Sequence, residues 1–408
     1  MKRFAFIAIA LGAVTHAAHA GGLERPNGIS ARGTGLGGAF TAFADDPTAI
    51  WFNPAALDAT EPQVMIGGEL VYGPREYTPV AADGTRGAKQ EATIISPVPS
   101  LGVVGRFDYD DRPSRFTLGF GVWNTFGGEA AFPKTGMPAL DTTRDIAIEA
   151  DGAAALHISD RLAVGGTFRL GIGLFKVEST MKPFDSDISA SGVGVAMAWG
   201  ALFKATDDIR IGLTWRSPLR VTTKGSGTIV FGGPAERHDV RHRQNWPQQV
   251  SLGVGWQTSP RLKLAAQLDW TQWSQIDKIT VEFPASALPT QIYPEYWDDS
   301  WTARVGGEYA LSPALALRAG TYFDTTAVPD RTIERQYLDS NKLGLSAGTT
   351  LRAAGWRFDA ALDGIIPTTR TVENNATDVM GFTPLVNTAP GDYRGTLITF
   401  ELSAARPF

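Results

Sequence analysis

Three groups of residues in this 408-residue chain are of types that do chemistry. Asp45 and Asp46 are adjacent carboxylates, and such a pair can divide general-acid and general-base roles. His238-Asp239-Val240-Arg241-His242 offers two imidazoles to a metal, but no third ligand follows at matching spacing, so no metal site is expected. Arg169, Arg210, Arg216, Arg304 and Arg357 carry guanidiniums shaped to grip a carboxylate. Asp269, Glu308, Asp359, Asp363 and Glu401 recur in the same stretches, and mutual ion pairing is the preferred reading of both sets. A serine nucleophile would need a histidine base. Beyond residue 20 only His157, His238 and His242 remain, none in a convincing place, so neither an enzyme nor a cofactor is expected.

The elements carrying these residues follow from composition and periodicity. Lys2 and Arg3, the apolar run Phe4–Val14 and Ala18-His19-Ala20 have the order of an export signal, so 1–20 is expected to be removed, leaving a chain that starts near Gly21. No later apolar run approaches the ~20 residues of a membrane helix. The chain has no cysteine, which suits an envelope protein better than a disulfide-stapled secreted domain. A net charge of −5 without a basic cluster argues against a nucleic-acid partner.

Alternation of period two dominates the rest. Leu262, Leu264, Ala266, Leu268 and Trp270 share one face, while Arg261, Lys263, Gln267 and Asp269 share the other. Trp301, Ala303, Val305, Tyr309 and Leu311 likewise oppose Thr302, Arg304 and Glu308. Leu162, Val164, Phe168, Leu170 and Ile172 oppose Thr167 and Arg169. Such strands fit either a soluble sandwich, polar side out, or a transmembrane barrel, polar side in. The connectors decide. Short turns recur at Asp110–Pro113, Ser159-Asp160, Thr206–Asp208, Ser259-Pro260, Leu311–Pro313 and Ala354-Gly355, roughly 45–55 residues apart with longer connectors between them. Six such turns imply an all-β fold, a transmembrane antiparallel β-barrel of about fourteen strands spanning 61–408. The last strand agrees, with Ile398, Phe400, Leu402, Ala404 and the terminal Phe408 in one phase, resembling the signal read by the outer-membrane assembly machinery.

Residues 21–60 read differently. Asp46 and Asn53 are good helix caps, and Pro47 and Pro54 suit the first helical position. Thr48-Ala49-Ile50 and Ala55-Ala56-Leu57 can each form a short helical turn. Gly33, Gly35, Gly37 and Gly38 allow tight backbone paths past Phe40 and Phe43. Irregular backbone cannot face lipid, so this segment is expected to fold into the lumen as a plug with short helices.

Ala44-Asp45-Asp46-Pro47-Thr48-Ala49 followed by Asn53-Pro54-Ala55 resembles the hatch signature of the FadL-type long-chain fatty acid transporters. Trp215-Arg216-Ser217, Leu268–Ser274, Asp324–Pro329 and Leu345–Thr349 extend the resemblance, in order, over nearly all of Gly21–Phe408. It implies a hatch-closed barrel in the outer membrane of a Gram-negative bacterium, among outer-membrane lipid and lipopolysaccharide. The barrel would take up long-chain fatty acids or other apolar small molecules passively and release them sideways beside a kinked third strand. That strand is expected at about Ser114–Thr125, bent at Gly119 and Gly121, although these glycines could equally relieve crowding in the lumen. Candidate lumenal ligand contacts are Arg169, Arg216, Arg304, Phe40 and Phe43, and the apolar loop Phe132-Pro133, Met137-Pro138 and Leu140 could form a lip. Leu174 and Asp298 stand where the family pattern calls for an arginine and a lysine, and the loop Lys182–Ile188 is short. Aromatic hydrocarbon uptake by the same architecture, and a structural or adhesive surface barrel, are the alternatives.

Overall fold

The computed structural model describes residues 29–81, 83–109, 112–134, 140–180, 184–231, 233–366, 368–372 and 390–408. The expected signal, residues 21–28, Met137 and Pro138 lie outside them. A single antiparallel sheet closes on itself as fourteen spanning strands. Six are continuous at first: β1 (Gln63–Pro79), β2 (Gln90–Tyr109), β3 (Arg112–Ala131), β4 (Thr142–Ser159), β5 (Leu162–Ser179) and β6 (Phe184–Lys204). The next four are each built from two segments. They are β7 (Ile209–Arg216, Leu219–Phe231), β8 (Glu236–Trp246, Gln249–Ser259), β9 (Leu262–Thr271, Lys278–Glu282) and β10 (Gln291–Pro294, Ser300–Ala310). β11 (Leu315–Asp324) and β12 (Lys342–Ala353) follow. β13 (Trp356–Ile366, Thr368–Val372) and β14 (Gly391–Gly395, Ile398–Pro407) finish the barrel. Gln63 of β1 stands opposite both Val104 of β2 and Pro407 of β14, which closes the cylinder.

Five of the expected tight turns join consecutive strands at one end, and Asp110-Asp111 of the sixth lie outside the described residues. The periodicity did not foretell the two-segment strands. Ser217-Pro218 interrupts β7 and Pro247 interrupts β8, where proline withdraws a ladder donor.

The faces are inverted relative to a soluble protein. Trp199 is 56% exposed and Val193 67%, while Arg169 is fully buried. Along β10, Trp301 and Val305 point outward and Thr302 and Arg304 inward. Outside meets hydrocarbon, and the interior holds charge and hydrogen bonds. The buried core therefore is the lumen itself.

The chain from Ile29 to Thr60 fills the short-turn half of that lumen, buried along nearly its whole length. It contains α1 (Ala31–Gly35), α2 (Ala49–Phe52) and a 3-10 turn at Pro54–Ala59. Ser30 caps α1, its hydroxyl accepting from the Gly33 N–H at 3.3 Å. Asn53 caps the 3-10 turn by accepting from Ala55 N–H at 3.1 Å. Asp46 is not the cap of α2. The helix starts after Thr48, and the Asp46 carboxylate instead closes a turn by accepting from the Thr48 N–H at 2.9 Å.

Candidate functional site: a stoppered lumen with an interrupted wall

The N-terminal segment is bonded to the wall all around. Thr34 donates to Glu401 on β14 at 2.6 Å, and the Gly37 N–H donates to Ser346 on β12 at 2.9 Å. Arg304 on β10 donates to the Gly37 carbonyl at 3.1 Å, and the Thr41 N–H donates to Gln267 on β9 at 3.0 Å. Thr167 and Thr214, on β5 and β7, cover the Ile50 and Phe52 carbonyls, both at 2.9 Å. Asn53 does most with one side chain. Its amide donates to Thr41 O at 3.1 Å, within the hatch, and to Ala201 O on β6 at 3.0 Å. The wall is glycine where the backbone presses closest: a Cβ on Gly165 or Gly200 would overlap Pro54 or Asn53.

Charges secure the same half. Asp45 pairs with Arg32, and Arg32 reaches Glu308 at 3.7 Å. Asp46 accepts from the Ser30 hydroxyl at 3.2 Å and faces Arg357 at 3.9 Å. Glu149 grips Arg169 with both oxygens at 2.6 and 2.7 Å, and its Oε2 also takes Arg216 at 3.2 Å. Arg216 in turn donates to Trp51 O at 3.0 Å and lies over the Trp51 ring at 4.6 Å. Arg304 meets Asp269 at 2.5 Å. The three arginines singled out as ligand contacts are thus all engaged by carboxylates. A buried cation is retained only where its charge and donors are matched.

Phe40 packs edge-on against Phe52 at 5.3 Å, and half-buried Phe43 lies under Lys263 at 5.8 Å. Both belong to the packing of the N-terminal segment on the wall. Pro47 abuts Gly102 of β2, and Pro54 and Ala55 abut Gly165 of β5.

Above this stopper, on the long-connector side, the lumen is apolar and aromatic. Phe126 stacks on Trp246 at 5.4 Å, Trp273 meets Trp297 at 5.3 Å, and Tyr77 meets Tyr393 at 4.9 Å. Leu219, Val221, Ile333 and Leu338 belong to the same buried cluster. Phe132 joins it with Arg335 over its ring at 5.0 Å. Asp145 and Glu295 also face inward here: Asp145 accepts from Gln244, and Glu295 from the Trp297 indole at 2.8 Å. The connector 325–341 is pinned over the cluster by Asp339, which accepts from Ala327 N–H at 2.7 Å and from Lys342 at 2.5 Å. Burial would push the Asp339 carboxyl up, but Lys342 and these donors outweigh it and hold it below the usual carboxylate range.

The wall beside this cluster is incomplete. β2 and β3 pair from Tyr109↔Arg112 up to Leu101↔Val122, and among the described residues no further. Above that level, among the described residues, Gln90–Ser100 is strand-paired with β1 and Trp123–Ala131 with β4, and the two are not paired with each other. Pro97 and Pro99 lie in the stretch of β2 that has no ladder partner on its β3 side, as expected of a strand edge. On the β3 side the register slips between Asn124 and Phe126, so Thr125 is an extra, bulged residue. Trp123 through Gly127 are consecutively buried, breaking alternation as the strand turns inward. Gly127 has φ +90°, open only to glycine at low cost. Gly119 and Gly121 are not the irregularity: both sit in regular register, and Gly119 makes room for Ile50 and Leu57, Gly121 for Trp123. The interruption opens beside the apolar cluster, with Ala92 on one edge and Phe126 and Ala130 on the other. The prolines and Gly127-Gly128 were the local signals that could have located it.

Comparisons with known proteins bear on this arrangement. Residues 11–408 match the family model described as outer membrane protein transport protein (OMPP1/FadL/TodX). A long-chain fatty acid transport protein of Salmonella typhi is 22% identical over 376 residues, 81% of this chain and 83% of that protein. The crystal structure of a Pseudomonas aeruginosa FadL homologue superposes with a TM-score of 0.81 at 18% identity, over 95% of this chain and 100% of that one. The Pseudomonas putida toluene transporter TodX superposes at 0.72 with 17% identity, over 97% and 100%.

Proposed function

The chain belongs to the outer-membrane transport proteins described as OMPP1/FadL/TodX, which move hydrophobic compounds across the outer membrane of Gram-negative bacteria, and from that premise we propose that it takes up long-chain fatty acids passively. The ligand enters the aromatic upper lumen, the N-terminal hatch stops it from continuing as through a pore, and it leaves sideways between β2 and β3 into the membrane. The observation that carries this reading is the end of the β2–β3 ladder at Leu101↔Val122, directly beside the apolar cluster.

Physical chemistry favours a lateral route. Each methylene removed from water stabilises the transferred ligand by about 0.8 kcal/mol. A wet exit through the short-turn end would return that gain to solvent, whereas an exit into hydrocarbon keeps it. No energy input is needed if ligand binding favours a rearranged hatch, because a differential affinity alone shifts such an equilibrium.

The rings around Phe126, Trp246, Trp273 and Trp297 favour a second reading, uptake of aromatic hydrocarbons, since offset and edge-on ring contacts suit an aromatic ligand.

Pro99→Cys with Asn124→Cys tests the route. The two positions would face each other had the register continued, and the chain has no other cysteine. Bridging them with a short bismaleimide should abolish uptake of labelled oleate or toluene by cells while leaving the amount of folded barrel unchanged. Undiminished uptake through a fully bridged barrel would rule the lateral exit out.

A further inference from the structure

We propose that Arg75, assisted by the side-chain amide of Gln336, is the anchor for the carboxylate of an amphipathic ligand held in the upper lumen. This rests on the transport reading above and narrows its ligand class to a carboxylate on an apolar tail. Arg75 lies on β1 in phase with Tyr77, 5% exposed, with Ala92 of β2 opposite it. Its Nη1 donates to the Gln336 backbone carbonyl at 2.6 Å, while its Nε is buried without a partner. Among the described residues no carboxylate lies at ion-pair distance from it. Every other buried arginine and lysine among them has one, from Arg32 with Asp45 to Lys342 with Asp324 at 3.1 Å.

A buried guanidinium without a counter-charge is costly, and in a static wall it would be selected out or matched. The group beside it is in the same state: Gln336 is buried, and neither its side-chain oxygen nor its nitrogen has a partner. Two adjacent donors left unused in an apolar chamber suit the two oxygens of one carboxylate, which an arginine binds through paired N–H bonds. The position fits the route as well. Ala92, opposite Arg75, belongs to the cluster that reaches the β2–β3 interruption, so a head group held at Arg75 leaves its tail toward the opening. Asp145 and Glu295 approach the chamber from β4 and the β10 connector and are bonded there to Gln244 and Trp297.

The test uses the whole protein in nanodiscs, with quenching of its tryptophan fluorescence by oleate, oleyl alcohol and toluene. The wild type should bind oleate more tightly than oleyl alcohol. Arg75→Gln should weaken oleate binding about tenfold or more and leave oleyl alcohol and toluene unchanged, whereas Arg75→Lys keeps part of the preference. Gln336→Leu should weaken oleate to a lesser degree, and it serves as the test should Arg75→Gln fail to assemble. Equal oleate affinity in wild type and both variants, or no preference for oleate in the wild type, overturns the anchor while leaving transport of neutral molecules standing. A wild type that binds none of the three overturns the transport reading and the anchor with it.

Discussion

In the lower half of the lumen, Arg32, Arg216 and Arg304 each meet a carboxylate and also touch the backbone or rings of the hatch. In the upper half, Phe126, Trp246, Trp273 and Trp297 pack ring against ring, and Arg75 meets no carboxylate among the described residues. The same alternating strands build both halves. The lower one is matched in charge: its buried arginines each meet a carboxylate inside the protein, which makes a stopper. The upper one keeps apolar surface and unused donors, which makes a place for something else. The boundary is the Glu149–Arg169–Arg216 network, and Thr125, the bulged residue of β3, donates to Glu149 at 2.6 Å. The bulge that ends the β2–β3 seam is therefore tied to the floor between the two halves.

This contrast can be broken from the lower side. Removing Gly21–Thr60 should have the largest effect: an assembled barrel through which small polar solutes pass freely, read as swelling of proteoliposomes. Unchanged leakage in a properly assembled mutant would mean that the lumen is sealed by something other than the hatch. Next comes the floor. Glu149→Leu leaves Arg169 and Arg216 buried without their carboxylate and should cost about 3–5 kcal/mol, measured by denaturant unfolding in vesicles. A loss near zero would show that the arginines find other partners and that the two halves are less separate than drawn. The mildest change is Asn53→Ala, which removes the cap on Pro54–Ala59 and the bonds to Thr41 and Ala201. About 1–3 kcal/mol should be lost locally, lowering uptake of labelled oleate more than barrel abundance. Equal losses of both would assign Asn53 to folding instead.

Much of this was legible in the chain. Leu264 and Leu268 face outward and Gln267 and Asp269 inward, as their alternation required, because side-chain period in a strand is a local property. The five tight turns among the described residues were legible for the same reason. In the third strand the bulge falls at Thr125, four residues beyond Gly121 and six beyond Gly119. For Gly119 and Gly121 a bend and relief of crowding in the lumen were equally open from the sequence, and only the packing of Ile50 and Trp123 tells the two uses apart, in favour of the second. Ion pairing was the preferred reading of Arg169, Arg216 and Arg304 and is what the structure shows, but which acid each one meets was not legible, since Glu149 lies 20 residues from Arg169 and 67 from Arg216.

By itself the sequence determined a closed sheet with hydrocarbon outside and polar groups within, because period two and turn chemistry act between near neighbours along the chain. Only the tertiary structure decided where the wall comes apart and which buried cation meets no acid among the described residues. Both depend on what fails to meet across strands, and a missing partner has no mark of its own in the residue that lacks it.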